Sequence, residues 1–261
     1  MPSAAASHFT ARKHPDRRCR LCYGEAVTND AFSARPTPDQ PLATGSEERF
    51  VHRNVPFVGQ WETRTLIGTI VRGELDSRLD PGWRASGAAS RDEYHLWSRN
   101  VCGMACLSMV LSHNGVDHAP LVILGKRCAR YGGYVVQGDE IDGLFYAPFV
   151  DFVADEFGLH AAVAAPMTTT AMIGHALRGD YVIASVHPAI RHPSSHYCGP
   201  VGGHLVLVVG VDVKQRSIWI NNPSGDTATS QEYAELSLED FGRYYAGRGI
   251  VISSAHLGTS L

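Results

Sequence analysis

The sequence predicts an α+β domain in which a central buried helix packs on an antiparallel sheet. Three observations carry this reading. From 104 to 111 nearly every side chain is small or apolar, and a helix without a polar face belongs inside a domain. Residues 204–211 are almost continuously apolar after the first, His204, as expected of a strand covered on both faces. Residues 217–221 form a second short strand pattern, separated from the first only by the turn at 212–216, and so short a connection makes the pair antiparallel.

The elements follow in order. Residues 1–48 are rich in Pro, Ser, Ala and Arg and poor in large apolar groups, and read as a disordered or peripheral arm to a domain over 49–261. Cys19 and Cys22 form a C-x-x-C in this arm, but zinc needs two more ligands at a workable spacing. Residues 50–61 read as an extended incoming segment, and 63–71 as a strand or a short helix. Ser90 with Glu93 is a capping-box-like start for a short helix through Trp97. The central helix opens at Cys102. It closes with His113 in its last turn and Gly115 in the left-handed position beyond it.

A short helix is expected over 121–128, then a glycine-bearing loop at 131–134 and a solvated acidic turn at 139–143. Phe149, Phe152, Val153 and Phe157 recur at helical spacing before Gly158. Residues 160–164 read as a strand, 168–177 as a helix capped by its threonine, and 181–186 as a strand. The long loop 187–203, with His187, His192, His196 and Cys198, reads as a surface loop beside a site, because its spacing matches no standard ligand set. Residues 238–245 look helical and 249–253 like an edge strand.

Composition narrows the function. The chain has 261 residues, is 44% hydrophobic and carries a formal net charge of −3, which leaves no electrostatic footprint for nucleic acid or an anionic membrane. The N-terminus lacks the apolar core of a signal peptide, so a cytoplasmic location is the expectation, with the six cysteines reduced. No cofactor or metal is called for.

The start of the central helix is where chemistry belongs. Unsatisfied amides and the positive end of the helix dipole favour a thiolate there, and Gly103 allows close approach. A cysteine nucleophile also needs a histidine oriented by a third group. His204 opens the buried strand. Asn222 ends the neighbouring one, held extended by Pro223, so neighbouring antiparallel strands can bring the two side chains together. Cys106, one turn deeper than Cys102, reads as packing.

At these residues the chain resembles the bacteriocin-processing, double-glycine-peptidase-like branch of the papain-like cysteine peptidases. The resemblance is carried by Cys102-Gly103-Met104-Ala105-Cys106-Leu107-Ser108-Met109-Val110-Leu111, by Gly203-His204-Leu205-Val206-Leu207-Val208-Val209-Gly210-Val211-Asp212 and by Ile218-Trp219-Ile220-Asn221-Asn222-Pro223, and it spans roughly 50–225. It implies a papain-like fold, with Cys102 as nucleophile, His204 as base and Asn222, where the family commonly has aspartate, as the orienting residue. The family also places a glutamine donor shortly before the cysteine. Here the candidate is Gln60, separated from the helix by an insertion. The implied activity is hydrolysis of a peptide or amide bond through an acyl-enzyme, on a peptide or acyl substrate. Acyl transfer or cyclisation, and a catalytically inactive peptide-binding shell, remain as alternatives.

Overall fold

The computed structural model describes residues 48–254. The arm apart from Glu48, with its Cys19–Cys22 pair, and residues 255–261 lie outside the described residues. The chain enters through β1 (Arg49–Val51) and crosses an irregular stretch to α1 (Ile67–Val71), α2 (Arg91–Ser98) and α3 (Cys102–His113). Then come α4 (Leu121–Arg130), the hairpin β2 (Tyr134–Gln137) and β3 (Glu140–Gly143), α5 (Tyr146–Phe157), β4 (Ala161–Ala164), α6 (Thr169–Leu177) and β5 (Tyr181–Val186). The last third supplies β6 (His204–Asp212), β7 (Ser217–Asn221), α7 (Ala228–Gln231), β8 (Ala234–Ser237), α8 (Leu238–Tyr244) and β9 (Tyr245–Ile252).

Among the described residues the main sheet has seven strands, in the order β4-β9-β5-β6-β7-β8 with β1 also on β6. Every pairing in it is antiparallel. β5 meets residues 204–208 of β6 and β1 meets 210–212. The side-chain alternation of β6 explains its unbroken apolar run. Leu205, Leu207 and Val209 pack in one core with Met104, Leu107 and Leu111 of α3. Val206 and Val208 face a second core with Met172 of α6 and Phe241 of α8. A strand sandwiched between helical layers has no solvated face, so it carries no polar alternation. The α+β class and the central helix on an antiparallel sheet are as expected.

Local signals are realised at several ends. The Ser90 hydroxyl accepts from the Glu93 amide at 3.1 Å, and Thr168 accepts from the Ala171 amide at 3.1 Å. Gly115 sits at φ 68° just beyond α3. Residues 64–71 are helical throughout, first as a 3-10 turn and then as α1.

Two expectations fail. The acidic stretch 139–143 is not a plain turn: Glu140–Gly143 is β3, paired with β2 around Gly138. Four residues are too few to display a period, and the hairpin exposes Val135 and Val136, which blurs the alternation further. The C-terminal strand is not at an edge. β9 runs between β4 and β5. Its glycines disguise it, and at Gly249 an added Cβ would lie 2.4 Å from the Ile183 carbonyl oxygen, so the close strand approach itself demands glycine.

The insertion between Gln60 and α3 is folded. Trp61, Ile67, Trp83 and Tyr94 form a small core of their own, beside a buried carboxylate, Asp80. Asp80 accepts from the Gly82 amide at 2.9 Å, the Thr63 amide at 3.2 Å, the Tyr94 hydroxyl at 2.5 Å and the Thr63 hydroxyl. Burial pushes its pKa up, but these donors outweigh that and hold it below the usual carboxylate range.

Candidate active site

Packing brings the start of α3 against the start of β6. Gly103 permits it: a Cβ there would meet Leu144 Cδ2 at 2.5 Å and Leu205 Cδ1 at 3.1 Å. Cys102 and His204 are the chain neighbours of Gly103 and Leu205, so this close approach sets both on one cleft. The cleft has a volume of about 520 Å³, and Gln60, Cys102, Arg191 and His204 are among its lining residues. Cys102 is half-buried, whereas Cys106 is fully buried, and burial pushes the Cys106 thiol well up. The cap residue of α3, Val101, provides no side-chain hydrogen bond to the first turn. Val101 therefore does not compete for the helix-end amides beside Cys102.

His204 and Asn222 are both buried. His204 Nε2 lies 2.8 Å from Asn222 Oδ1. The strands position them: Leu207 stands opposite Asn221 in the β6–β7 register, so the residue after β7 reaches back beside the first residue of β6. Asn222 is fixed in turn by its own amide, which donates to the Gln231 carbonyl at 2.7 Å.

Gln60 is buried at the same cleft. Its backbone amide donates to the Pro223 carbonyl at 2.8 Å, and its side-chain Nε2 donates to the Ser98 carbonyl at 3.1 Å. It thus ties the segment carrying Asn222 to the end of α2, which leads into α3. Cys102, His204 and Gln60 line one cleft, with Asn222 bonded behind His204.

Two residues that the sequence analysis did not single out belong to this cluster. Ser224 is fully buried. Its hydroxyl lies 2.9 Å from His204 Nε2, and its amide donates to Asn222 Oδ1 at 3.1 Å. Arg191 donates from Nε to the Ser224 carbonyl and from Nη2 to the Ser224 hydroxyl, both at 2.6 Å. Ser224 stands two residues beyond Asn222, which was the available hint. Arg191 lies in the 187–203 loop, whose first residues form a 3-10 turn, Pro188–Arg191. No local pattern marks it. His192 turns away from the cluster to Asp226, 2.7 Å from its carboxylate.

The electrostatics of the pocket keep the imidazole neutral. Burial, then the Arg191 cation, push the His204 pKa down to about 3, against the hydrogen bond to Asn222 and with a further push from His187. A neutral imidazole carries one N–H. Asn222 Oδ1 can only accept, so the proton sits on Nε2 and leaves Nδ1 basic.

The model of the Peptidase_C39 like family matches residues 85–251. A search of curated proteins finds no match. Among solved structures, the chain is similar to the peptidase domain of Streptococcus ComA, a bi-functional ABC transporter involved in a quorum sensing pathway. That alignment has 16% identity over 59% of this chain and 90% of that one, with a TM-score of 0.40. It is also similar to a protein described as a C39-like peptidase from Bacillus anthracis, at 14% identity over 79% of this chain and 98% of that one, with a TM-score of 0.48. The family match spans well over half of the sequence and includes Cys102, His204 and Asn222: this chain belongs to the Peptidase_C39 like family.

Proposed function

We propose that the protein is a cysteine-dependent hydrolase that cuts a peptide or amide bond through an acyl-enzyme. The observation that most supports this is the 2.8 Å His204–Asn222 hydrogen bond at the wall of a cleft that Cys102 and Gln60 also line. In this reading Cys102 Sγ attacks the carbonyl carbon while its proton passes to His204 Nδ1. The developing oxyanion meets the first amides of α3 and the Gln60 side-chain amide. Collapse breaks the C–N bond, and His204 returns the proton to the leaving nitrogen. Water then attacks the thioester, giving a proton to His204. The second collapse releases the acid, and the proton returns to the sulfur.

Asn222 holds the ring in the required tautomer without adding charge, so His204 works from its neutral form. A peptide substrate accords with the family. Among the described residues no helix is long and apolar enough to cross a membrane.

The test is digestion of a peptide library followed by mass spectrometry, with the full chain and Cys102→Ala side by side. Cleavage by the wild type, its loss in Cys102→Ala and capture of an acyl adduct on Cys102 support the reading. Full activity in Cys102→Ala overturns it.

A further inference from the structure

Arg191 is the least expected charge in the cleft. It is half-buried, with its pKa pushed down by burial and back up by Asp226 and Cys102. A guanidinium in such a place stays protonated, and its burial is offset only by well-formed bonds. It has two of them, both to Ser224 and both at 2.6 Å. Nε grips the Ser224 carbonyl and Nη2 the hydroxyl, a fork that fixes the serine backbone and side chain together.

The consequence for His204 follows from donor and acceptor counting. Arg191 can only donate, so the Ser224 oxygen accepts from it. The clamped hydroxyl keeps one lone pair and its proton, and with Nε2–H donating to Asn222 the Ser224 proton is left for Asn222 Oδ1, 3.3 Å away. His204 Nε2, 2.9 Å from that oxygen and 2.8 Å from Asn222 Oδ1, meets two acceptors on one side. Only the Nε2–H form suits both.

We propose that Arg191 is a positioning residue: by clamping Ser224 it holds His204 in the Nε2–H tautomer. The proposal deepens the hydrolase reading and rests on it for its catalytic consequence.

Other charged and titratable groups bear on the same ring. His187 comes from the same loop as Arg191, and Asp226 partly offsets the guanidinium from the segment beyond β7. Cys102 faces the ring's cleft from α3. Asp76, His95 and Arg99 line the cleft from the insertion, and Tyr146 lines it from α5. Arg191 is bonded to Ser224, which touches Nε2.

The experiment is nitrogen-15 NMR of the imidazoles in the full chain, with the His204 signals identified by their loss in His204→Gln. Wild-type His204 is expected in the Nε2–H form and neutral down to at least pH 5. In Arg191→Met its midpoint rises by about one pH unit or more, the scale of a nearby charge, and the tautomer becomes mixed. Arg191→Lys keeps the low midpoint but loses the lock, because an ammonium lacks the two-pronged fork. Ser224→Ala keeps the low midpoint and the Nε2–H form, because Asn222 Oδ1 still accepts and no hydroxyl remains to donate to Nε2, and it lowers kcat by about tenfold with KM unchanged, the scale of lost outer-sphere support. A folding defect common to all variants would not produce this split between midpoint and tautomer. An unchanged His204 midpoint and tautomer in folded Arg191→Met overturns the proposal while leaving the hydrolase reading intact. Full activity in Cys102→Ala removes the hydrolase reading and leaves the His204 measurement standing.

Discussion

At the scale of single residues, the site is a set of hydrogen bonds around one imidazole. Asn222 accepts from His204 and from the Ser224 amide, so its removal frees the ring to turn. In Asn222→Ala, kcat is expected to fall about 100-fold with KM nearly unchanged, the size of effect that misplacing a reacting group by an ångström produces. Steady-state kinetics on any peptide that the wild type cleaves checks this, and equal loss in KM would point to binding instead. The residue types of this site were legible in the sequence. Cys102 stands before a helix with no polar face, His204 begins a strand with none, and Asn222 precedes a proline. Ser224 and Arg191 were not legible, because a serine after a turn and an arginine in a polar loop look the same whether or not they meet a histidine. Arg191 and Ser224 are 33 residues apart, far beyond any local pattern.

At the scale of elements, α3 and β6 are the two pieces on which the site depends. Leu107 lies fully buried between the sheet and the neighbouring helices, and Leu107→Ala is expected to cost about 2–5 kcal/mol, measurable by urea unfolding. Gly103→Ala is a different kind of change. Alanine favours the helix by about 1 kcal/mol over glycine, but its Cβ runs into Leu144 and Leu205. Both contacts are side-chain ends that can shift, so stability changes little while Leu205, the neighbour of His204, is displaced. The expected outcome is a folded protein of near wild-type stability with a clear loss in kcat/KM. A wild-type rate in Gly103→Ala would mean that the helix–strand approach does not set the geometry of the site. The helix and both strands were readable because burial leaves a continuous apolar signature. β3 and β9 were not, since one is too short to show a period and the other is broken by glycines that its neighbours require.

At the scale of the molecule, stability should depend on pH through a few buried groups. His52 stacks on Tyr181 with ring centroids 4.1 Å apart, and burial, then His113, push its pKa from 6.5 down to about 4. His204 is pushed down to about 3. Both bind a proton more readily when unfolded. Their contribution is therefore full above pH 6.5 and drains away as the pH falls toward those folded values. Glu62 acts in the opposite sense. Burial and then Asp80 raise it from 4.5 to about 7, so its contribution is full below pH 4.5 and is lost as the pH rises to about 7. With two histidines against one carboxyl, Tm is expected to fall between pH 6.5 and 4, and His52→Phe, which keeps the ring stack, should flatten that fall. An unchanged slope in His52→Phe would show that the histidine is not the group responsible.

The insertion over 61–100 belongs to this scale as well. In sequence only the run 63–71 and the short helix from Ser90 to Trp97 could be read in it, yet it folds around Asp80 and lines the cleft. Its organising contact joins Thr63, Gly82 and Tyr94, from three separate segments, to one carboxylate, and a one-dimensional pattern carries no trace of that.

The chain by itself determined its class, its central helix, its paired strands and the kinds of side chain available for chemistry, because burial writes a period or an apolar run into the residues themselves. Only the tertiary structure decided that Gln60 reaches the segment after β7, that Ser224 and Arg191 join His204, and that the insertion walls the cleft. Those meetings are fixed by how layers pack across long stretches of sequence, where the free energy lies in the contact rather than in either segment alone.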